Sequence, residues 1–254
     1  KGSTEFSQLS RNMNEMAEAI EHNIKDLESV AEDRNTFIAN LAHEMKTPLT
    51  SIIGYSDTLR HVKLNDEQKD RALEHISREG KRLEKLSGKM LQMLGLHQND
   101  SIKMESHSIG ELLEHVVQLE AEQAAQRQIQ LQTEYEDFSM KMDDELMESL
   151  LVNLIDNALR ATEAGGRITV KAYKESGRQI LEVADNGRGI PQEELGKITE
   201  AFYMVDKSRS RQEGGAGLGL ALCVKIAEVH GGRLDITSQL GTGTKVRVIF
   251  DKKR

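Results

Sequence analysis

The distribution of glycine divides this 254-residue chain into two parts of different character. Only five of the twenty glycines come before residue 97, and fifteen follow it, together with nearly all of the β-type patterning. Glycine weakens helices and serves tight turns, so the first third favours long helices and the remainder favours a loop-rich unit. The sequence therefore predicts at least two domains, with a boundary near residue 97.

Apolar residues in the first part recur at the alternating steps of three and four that are typical of coiled coils and helical bundles. The series runs through Leu9, Met13, Met16, Ile20, Ile24, Leu27 and Ala31, and then Ile38, Leu41, Met45, Pro48, Ile52, Tyr55 and Leu59. The two consecutive steps of four from Met16 to Ile24 form a stutter, which predicts local unwinding between two coiled segments.

A polar turn over residues 61–65 separates this helix from a second amphipathic helix. Its apolar positions are Leu73, Ile76, Leu83, Leu86, Met90 and Leu94. Two helices joined by a short turn make an antiparallel hairpin, which cannot bury its apolar stripe alone. The expected solution is a homodimer that forms a four-helix bundle.

The second part reads as an α+β sandwich, because adjacent strand pairs are grouped with helices between them and no doubly wound pattern is present. A polar linker is predicted over 98–107. Helices are predicted over 109–126, 143–162 and 218–230, and strands over 129–135, 168–173, 180–184, 233–237 and 245–250.

Composition excludes several classes of function. The formal net charge is −8 and only nine residues are aromatic, which argues against a nucleic-acid partner. Cys223 is the single cysteine, so neither a disulfide scaffold nor a multi-cysteine zinc site is possible within this chain. No stretch approaches the roughly 20 apolar residues of a membrane span.

His43 is the first candidate for chemistry. A helix turns about 100° per residue, so with Leu41 and Met45 directed inward, His43 points to solvent. Glu44 lies beside it, and Thr47 shares its outer face one turn later. A neutral imidazole next to a carboxylate can accept a phosphoryl group as a nucleophile. An ordinary surface histidine would show the same spacing, although Pro48 predicts a local bend close to it.

Three further motifs point to a nucleotide. Asn153, Asn157 and Arg160 are predicted on one helix face, where amide oxygens suit Mg²⁺ and the guanidinium suits phosphate. Asp185, Gly187 and Gly189 follow a strand, where an acceptor could meet an adenine amino group. The helix that carries Asn153 and Asn157 is predicted to pack inward through its opposite face, which carries Leu151, Leu154, Ile155 and Ala158.

A glycine-rich segment over 214–219 opens the last predicted helix, where exposed backbone N–H groups can hold phosphate. It matches neither the P-loop nor the dinucleotide-binding fingerprint. The basic segment over 202–211, with Lys207 and Arg209, reads as a lid that could close over phosphates. Taken alone, the basic segment over 202–211 is also compatible with a solvated charged loop, and 241–244 with a plain hairpin turn.

Taken in order, these motifs resemble those of sensor histidine kinases of two-component systems. The resemblance covers about residues 4–250: the phosphoacceptor box at His43–Leu49, the N box at Asn153–Asn157, the G1 box at Asp185–Gly189, the F box at Phe202–Tyr203, the G2 box at Gly215–Gly219 and a final Gly-Thr element at Gly241–Thr244. It implies four segments: a HAMP C-terminal helix with a coiled-coil connector (1–30), a dimerisation and phosphotransfer hairpin (31–97), a linker (98–107) and a Bergerat-type ATP-binding domain (108–254).

The resemblance also implies roles for particular residues. His43 would be phosphorylated from ATP, Glu44 would be its acid/base partner, and Thr47 would support phosphatase activity toward a response regulator. Asn157 would hold Mg²⁺, with Asn153 and Arg160 near the phosphates, and Asp185 would bind the adenine amino group. The remaining nucleotide-binding candidates are Gly187, Gly189, Ile190, Tyr203, Lys207, Arg209, Gly215, Gly217, Leu218, Gly219, Leu220 and Thr244.

Some implications concern the setting of the chain. The partner would be the receiver domain of a response regulator, and the native protein would be tethered to the cytoplasmic side of the membrane through upstream segments. Met204 departs from the family, which often has a basic residue there, so Lys207 or Arg209 would have to replace that phosphate contact.

Two rival functions are compatible with parts of the pattern. An ATPase of the gyrase and MutL kind would share the nucleotide fold, but such enzymes carry a water-activating glutamate where this chain has the neutral Asn153. A non-catalytic scaffold that dimerises and binds nucleotide would be expected to lack motif residues. Only the position of Met204 departs from the pattern.

Overall fold

The computed structural model describes residues 2–96, 102–205 and 216–251. Two long helices form the predicted hairpin: α1 spans Gly2–His61 and α2 spans Asp66–Leu96. Asn65 caps α2 reciprocally with Gln68, because each backbone N–H bonds to the other residue's side-chain oxygen, at 2.8 and 3.1 Å. The polar turn over 61–65 is therefore confirmed, with a local capping reason.

Two irregularities predicted in α1 do not interrupt it. The helix is continuous from Met16 to Ile24, so the stutter does not break the secondary structure. Pro48 lies inside the helix and is buried, and α1 continues for three more turns beyond it. The ring removes one backbone donor without ending the helix. Within a single chain, several apolar side chains of α1 stay about half exposed: Met13, Met16, Ile20, Ile24, Ile38, Met45, Leu49 and Ile53.

The second part is an α+β sandwich, as predicted. Its helices are α3 (Ile109–Gln126), α4 (Asp144–Ala161) and α5 (Gly219–Val229). Its strands are β1 (Glu105–Ser108), β2 (Gln130–Tyr135), β3 (Ser139–Met142), β4 (Arg167–Glu175), β5 (Arg178–Asp185), β6 (Gly232–Gln239) and β7 (Gly243–Phe250). Ser108 caps α3 and Asp143 caps α4 through their side chains, which explains why both starts were readable from the sequence.

The five-stranded sheet has the order β2-β4-β5-β7-β6. The β2–β4 pair is parallel and the other three pairs are antiparallel. Alternate residues of the strands, such as Val170, Val183 and Val246, join the core under α3, α4 and α5. The opposite face carries polar pairs, including Lys171 with Glu134 at 2.6 Å.

One small sheet was not predicted. Strands β1 and β3 pair antiparallel, with Glu105 opposite Met142 and Ser108 opposite Ser139. The segment over 105–107, predicted as linker, therefore belongs to a strand, while 97–101 lie outside the described residues. The four residues of β1 are too short and too polar to show the alternation by which strands are recognised.

The hairpin and the sandwich share one apolar cluster. Leu41 of α1 and Leu86, Met93 and Leu96 of α2 are buried together with side chains of α3, α4 and α5. Within the described residues, none of the helices has both the length and the apolar composition that crossing a bilayer requires.

Candidate functional site

The His43 imidazole lies on the solvent side of α1, as the helical geometry predicts. Its side chain is 68% exposed. The Oε1 atom of Glu44 lies 3.8 Å from its Nδ1 atom. Thr47 is also exposed one turn later, and its hydroxyl donates to the His43 carbonyl over 3.3 Å. The imidazole is therefore open to a second reactant, with a carboxylate beside one ring nitrogen.

Glu44 lies beside His43, as predicted, and its side chain is buried. Arg82 of α2 donates to its Oε2 atom from Nη2 over 3.0 Å. Nη1 of the same guanidinium lies 3.7 Å from Glu79. Arg82 is buried as well, so the pair fixes the direction of the carboxylate next to His43.

The apolar pattern of α2 missed Arg82, whose guanidinium orients the carboxylate beside His43. That pattern used Leu73 and Leu94, which are largely exposed in the single chain. The buried or partly buried positions of α2 instead include four residues spaced seven apart, as in a heptad repeat: His75, Arg82, Lys89 and Leu96. The first three of these are polar. Polar residues at a repeated heptad position were the available signal, because they need partners where apolar residues would pack.

Asn153 and Asn157 of α4 meet the first residue of α5. A side chain starting at Gly219 would lie 3.3 Å from Asn153 Oδ1 and 3.7 Å from Asn157 Nδ2. Asn153 is buried and its Nδ2 donates to the Ser149 carbonyl over 2.7 Å, whereas Asn157 is exposed. The two amides thus stand beside the N-terminus of α5, where the glycine-rich segment predicted a phosphate cradle.

Lys89 of the hairpin also reaches this place. Its Nζ atom donates to Asn153 Oδ1 over 2.6 Å. Burial lowers the pKa of the Lys89 ammonium, and the nearby carboxylate of Asp156 acts in the opposite direction. Nothing in the sequence patterns assigned Lys89 to the nucleotide motifs, because it belongs to the other part of the chain.

The guanidinium of Arg160, which was predicted on the same helix face as the two asparagines, is engaged by its neighbour Asp156. Its Nε and Nη2 atoms donate to the two carboxylate oxygens of Asp156, at 3.2 and 2.9 Å. A contact within α4 therefore holds the guanidinium. The four residues predicted on the inward face of α4 are all buried: Leu151, Leu154, Ile155 and Ala158.

Asp185 ends β5 with one oxygen engaged and one available. Its Oδ1 atom accepts backbone N–H groups of Gly187 over 2.9 Å and of Thr244 over 3.3 Å. Within the described part of the chain, Oδ2 has no hydrogen-bond partner. Burial raises the pKa of this carboxyl, and the two backbone hydrogen bonds act against that change. The free oxygen can accept a hydrogen bond from an amino group.

Gly187 and Gly189 both lie in close contact with backbone atoms of the sandwich domain. A methyl group at Gly187 would lie 2.4 Å from the Ala161 carbonyl oxygen at the end of α4. One at Gly189, where φ is +69°, would lie 2.0 Å from the Gln239 carbonyl oxygen. The half-buried Ile190 donates its backbone N–H to Ser238 over 2.8 Å. The loop is thus held against α4 and the β6–β7 turn.

The F-box segment and the start of α5 are joined through Gly217. Its φ is +69°, and a side chain there would lie 2.7 Å from the backbone of Phe202. The Phe202 N–H donates to the Gly217 carbonyl over 2.9 Å. Tyr203 hydrogen-bonds through its hydroxyl to Glu194. Leu218 is the buried N-cap of α5 and gives no side-chain cap, which leaves the helix N–H groups of Gly219 and Leu220 for another acceptor.

Phe202 also contacts the hairpin. Its ring packs against Phe37 of α1, with ring centroids 5.3 Å apart. Other residues predicted for this region, Lys207, Arg209 and Gly215, lie outside the described residues.

The donor set fits a nucleotide with Mg²⁺. Asn153 and Asn157 supply amide groups next to an uncapped helix N-terminus, and Asp185 supplies a free acceptor. Among residues 2–96, 102–205 and 216–251, no group of three His, Cys, Asp or Glu side chains could hold a metal by itself. A metal at Asn157 would therefore need water or phosphate oxygens as further ligands. Burial raises the pKa of the Cys223 thiol to about 12, which excludes it as a nucleophile at neutral pH.

Two family models match the chain in the order of the predicted domains. Residues 33–94 match the His Kinase A (phospho-acceptor) domain. Residues 142–254 match the Histidine kinase-, DNA gyrase B-, and HSP90-like ATPase. His43 falls within the first region, and all three nucleotide motifs fall within the second.

Curated relatives extend the similarity over nearly the whole chain. Sensor histidine kinase YkoH of Bacillus subtilis is 32% identical over 250 residues, which are 98% of this chain and 53% of the relative. Sensor protein SrrB of Staphylococcus aureus is 33% identical over 228 residues, which are 88% of this chain and 38% of the relative. The chain thus spans about half of the first relative and less of the second.

Solved structures share the fold. ShkA in complex with AMPPNP has a TM-score of 0.61 and 27% identity, over 84% of this chain and 44% of the other. ThkA in complex with the response regulator protein TrrA has a TM-score of 0.69 and 23% identity, over 85% and 60%. The histidine kinase AdeS of Acinetobacter baumannii has a TM-score of 0.63 and 21% identity, over 84% and 98%. The last two likenesses concern the fold alone.

Proposed function

Because this chain belongs to the sensor histidine kinases of two-component systems, we propose that it transfers the γ-phosphoryl group of ATP to His43. The phosphoryl group then passes to an aspartate in the receiver domain of a response regulator. The observation that carries the proposal is the exposed His43 imidazole beside a carboxylate that Arg82 fixes. The same chain holds the Asp185 acceptor of the nucleotide motifs.

The position of Glu44 indicates which ring nitrogen of His43 attacks the phosphorus atom. Glu44 lies beside Nδ1, so Nε2 is the nucleophilic atom. As the Nε2–phosphorus bond forms, the bond from phosphorus to the β,γ-bridging oxygen breaks and ADP leaves. The Glu44 carboxylate, 3.8 Å from Nδ1, stabilises the positive charge that develops on the ring.

The nucleotide is bound by the sandwich domain in this proposal. Oδ2 of Asp185 accepts a hydrogen bond from the adenine amino group, beside Thr244. The phosphates lie toward the N-terminus of α5, near Asn153 and Asn157. Asn157 would hold Mg²⁺, which would supply positive charge to the phosphate oxygens. The basic residues Lys207 and Arg209 of the lid segment are assigned to the same phosphates.

The finer assignments concern partners and setting. The half-exposed apolar residues of α1 support a homodimer that completes a four-helix bundle. Thr47, on the same face as His43, is assigned to a phosphatase reaction on the phosphorylated regulator. We assign residues 31–97 to the phosphotransfer hairpin and 108–254 to the ATP-binding domain. The native protein is placed at the cytoplasmic side of the membrane.

An ATPase that hydrolyses nucleotide without His43 is the less favoured function. Asn153 stands where such enzymes carry a glutamate that acts as a general base. Its amide is hydrogen-bonded to Lys89 and to the Ser149 carbonyl. An amide cannot accept a proton from water near neutral pH. The side chain therefore has no route to activate a hydrolytic water.

The test is phosphorylation with γ-labelled ATP and Mg²⁺. The wild-type chain should acquire a label that is lost in acid and retained in alkali, and His43→Ala should acquire none. His61→Ala is the matched control, because His61 is another exposed histidine of the same helix. Equal labelling of His43→Ala and wild type would refute the assignment.

A further inference from the structure

Lys89 of the hairpin stands in the nucleotide site of the sandwich domain. Its ammonium bonds to Asn153 over 2.6 Å, and one turn along α2 the Gln92 side chain accepts the Ser149 hydroxyl over 3.0 Å. Both contacts join α2 to α4. Two hydrogen bonds between polar side chains therefore hold the hairpin against α4, the helix that carries the N box.

The Lys89 ammonium lies close to both asparagines. Lys89 Nζ, Asn153 Oδ1 and Asn157 Nδ2 all lie within 3.7 Å of the point where a side chain at Gly219 would begin. That point adjoins the N-terminus of α5, whose dipole disfavours a cation. Among the described residues, Lys89 forms no ion pair with a carboxylate. Asn153 is thus the group that holds it there.

The register of the hairpin places this contact away from His43. Lys89 follows Arg82, the partner of Glu44, by seven residues, which is about 10 Å along α2. On α1, Phe37 precedes Glu44 by the same number of residues and packs against Phe202. The Lys89–Asn153 and Phe37–Phe202 contacts therefore lie about two helical turns from the level of the phosphoacceptor.

We propose that Lys89 and Mg²⁺ compete for the Asn153–Asn157 pair, so that Lys89 is an autoinhibitory contact that Mg-nucleotide must displace. The inference rests on the proposed function, because it assumes that the metal binds at Asn157. Two cations a few ångströms apart repel each other, and partial burial of the Lys89–Asn153 contact strengthens that repulsion relative to open water. Displacing Lys89 removes one of the two polar contacts and so weakens the docking of the sandwich domain on the hairpin. Docking and metal loading are thereby linked reciprocally.

The experiment measures binding of AMPPNP, a non-hydrolysable ATP analogue, to the whole chain by calorimetry. Lys89→Met removes the charge and keeps the length of the side chain, and Lys89→Gln removes the charge but keeps a donor. Lys81→Met is the control, because Lys81 is an exposed lysine of the same helix. Each variant is titrated with Mg²⁺ present and again with the metal chelated.

Both Lys89 variants should bind the Mg²⁺ complex about five-fold more tightly or better, since a hydrogen bond to a charged group no longer has to be broken. Their affinity in chelator should change much less, and Lys81→Met should match the wild type. As a second readout, amide hydrogen exchange over residues 86–96 should accelerate in Lys89→Met. It should also accelerate in the wild type when Mg-AMPPNP is added, but not with AMPPNP and chelator.

Weaker binding by the Lys89 variants would overturn the inference, because Lys89 would then be a phosphate ligand. Unchanged affinity together with unchanged exchange would overturn it as well. A wild-type chain that binds no AMPPNP under either condition would instead refute the proposed function. The two failures are therefore distinguishable.

Discussion

Arg82 of α2 donates a hydrogen bond to Glu44 of α1 over 3.0 Å, and both side chains are buried. The pair joins the two helices at the level of His43 and leaves the other Glu44 oxygen 3.8 Å from Nδ1 of the imidazole. A buried charge pair of this kind contributes specificity of geometry more than net stability, but losing one partner is costly. The acid/base group of the proposed reaction is thus held by the opposite helix.

Replacing Arg82 should impair stability and phosphorylation together. In Arg82→Met the Glu44 carboxylate stays buried without its cation, so the free energy of unfolding should fall by about 3–5 kcal/mol. Urea denaturation measures this loss, and labelling of His43 should be slower in the variant that remains folded. Arg71→Met is the control, since Arg71 pairs with Glu67 on the exposed surface and its loss should cost less than about 1 kcal/mol. Similar losses in both variants would contradict the role of Arg82.

Asp185→Asn should separate binding from stability. Burial raises the pKa of the Asp185 carboxyl, which means that the ionised form is disfavoured in the folded protein. A neutral amide can still accept the Gly187 and Thr244 N–H groups, so the melting temperature should stay equal or rise. Its NH₂ group would face the adenine amino group, and nucleotide affinity should fall about ten-fold or more. Asp235→Asn, on the polar face of the sheet, is the control for binding. Unimpaired affinity in Asp185→Asn would contradict the adenine contact.

Gly187→Ala should destabilise the sandwich for a steric reason. The added methyl group would meet the Ala161 carbonyl oxygen at 2.4 Å, and this backbone atom cannot move without shifting the end of α4. The free energy of unfolding should fall by about 1–3 kcal/mol, as in other overpacked sites. Gly196→Ala provides the comparison, because nothing lies within 4 Å of its Cβ position. Chemical denaturation of both variants measures the difference, and equal stabilities would argue against the close approach.

The stability of the sandwich should depend on the protonation of His230. Its Nε2 accepts the Asp143 backbone N–H over 3.0 Å and its Nδ1 lies 2.7 Å from the Ile226 carbonyl, an arrangement that needs the neutral ring. Burial lowers the pKa of this histidine. The unfolded chain, with a pKa of about 6.5, therefore binds the proton first as the pH falls.

The His230 contribution should be present above pH 6.5 or so and be lost as the pH falls from there through the lower folded pKa. Melting temperatures between pH 7.5 and 5 check this in the wild type and in His230→Gln. The variant should lose less stability over that interval, because its side chain does not titrate. His115→Gln, an exposed histidine beside Glu148, controls for a general effect of removing a histidine. Parallel curves for wild type and His230→Gln would contradict the prediction.

Helix boundaries were the best predicted part of the fold, because the groups that cap a helix are close in sequence. Helix α3 has the predicted bounds, and α4 and α5 differ by one residue at each end. The caps Ser108 and Asp143 bond only three residues ahead. In contrast, β1 and β3 were missed, since each has only four residues and is defined by pairing with the other.

The sequence by itself determined the helical hairpin, the sandwich, the exposure of His43 and the order of the nucleotide motifs. These follow from apolar periodicity, capping and backbone preferences, which act over a few residues. Only the tertiary structure decided which side chains meet: Arg82 with Glu44, Lys89 with Asn153, and Gly187 with the end of α4. The physical reason is that a polar residue in an apolar pattern indicates only that it needs a hydrogen-bonding partner. A glycine likewise indicates only that another group packs closely against it. The partner itself lies 38 or 64 residues away for the two side-chain pairs and is fixed only when the elements pack.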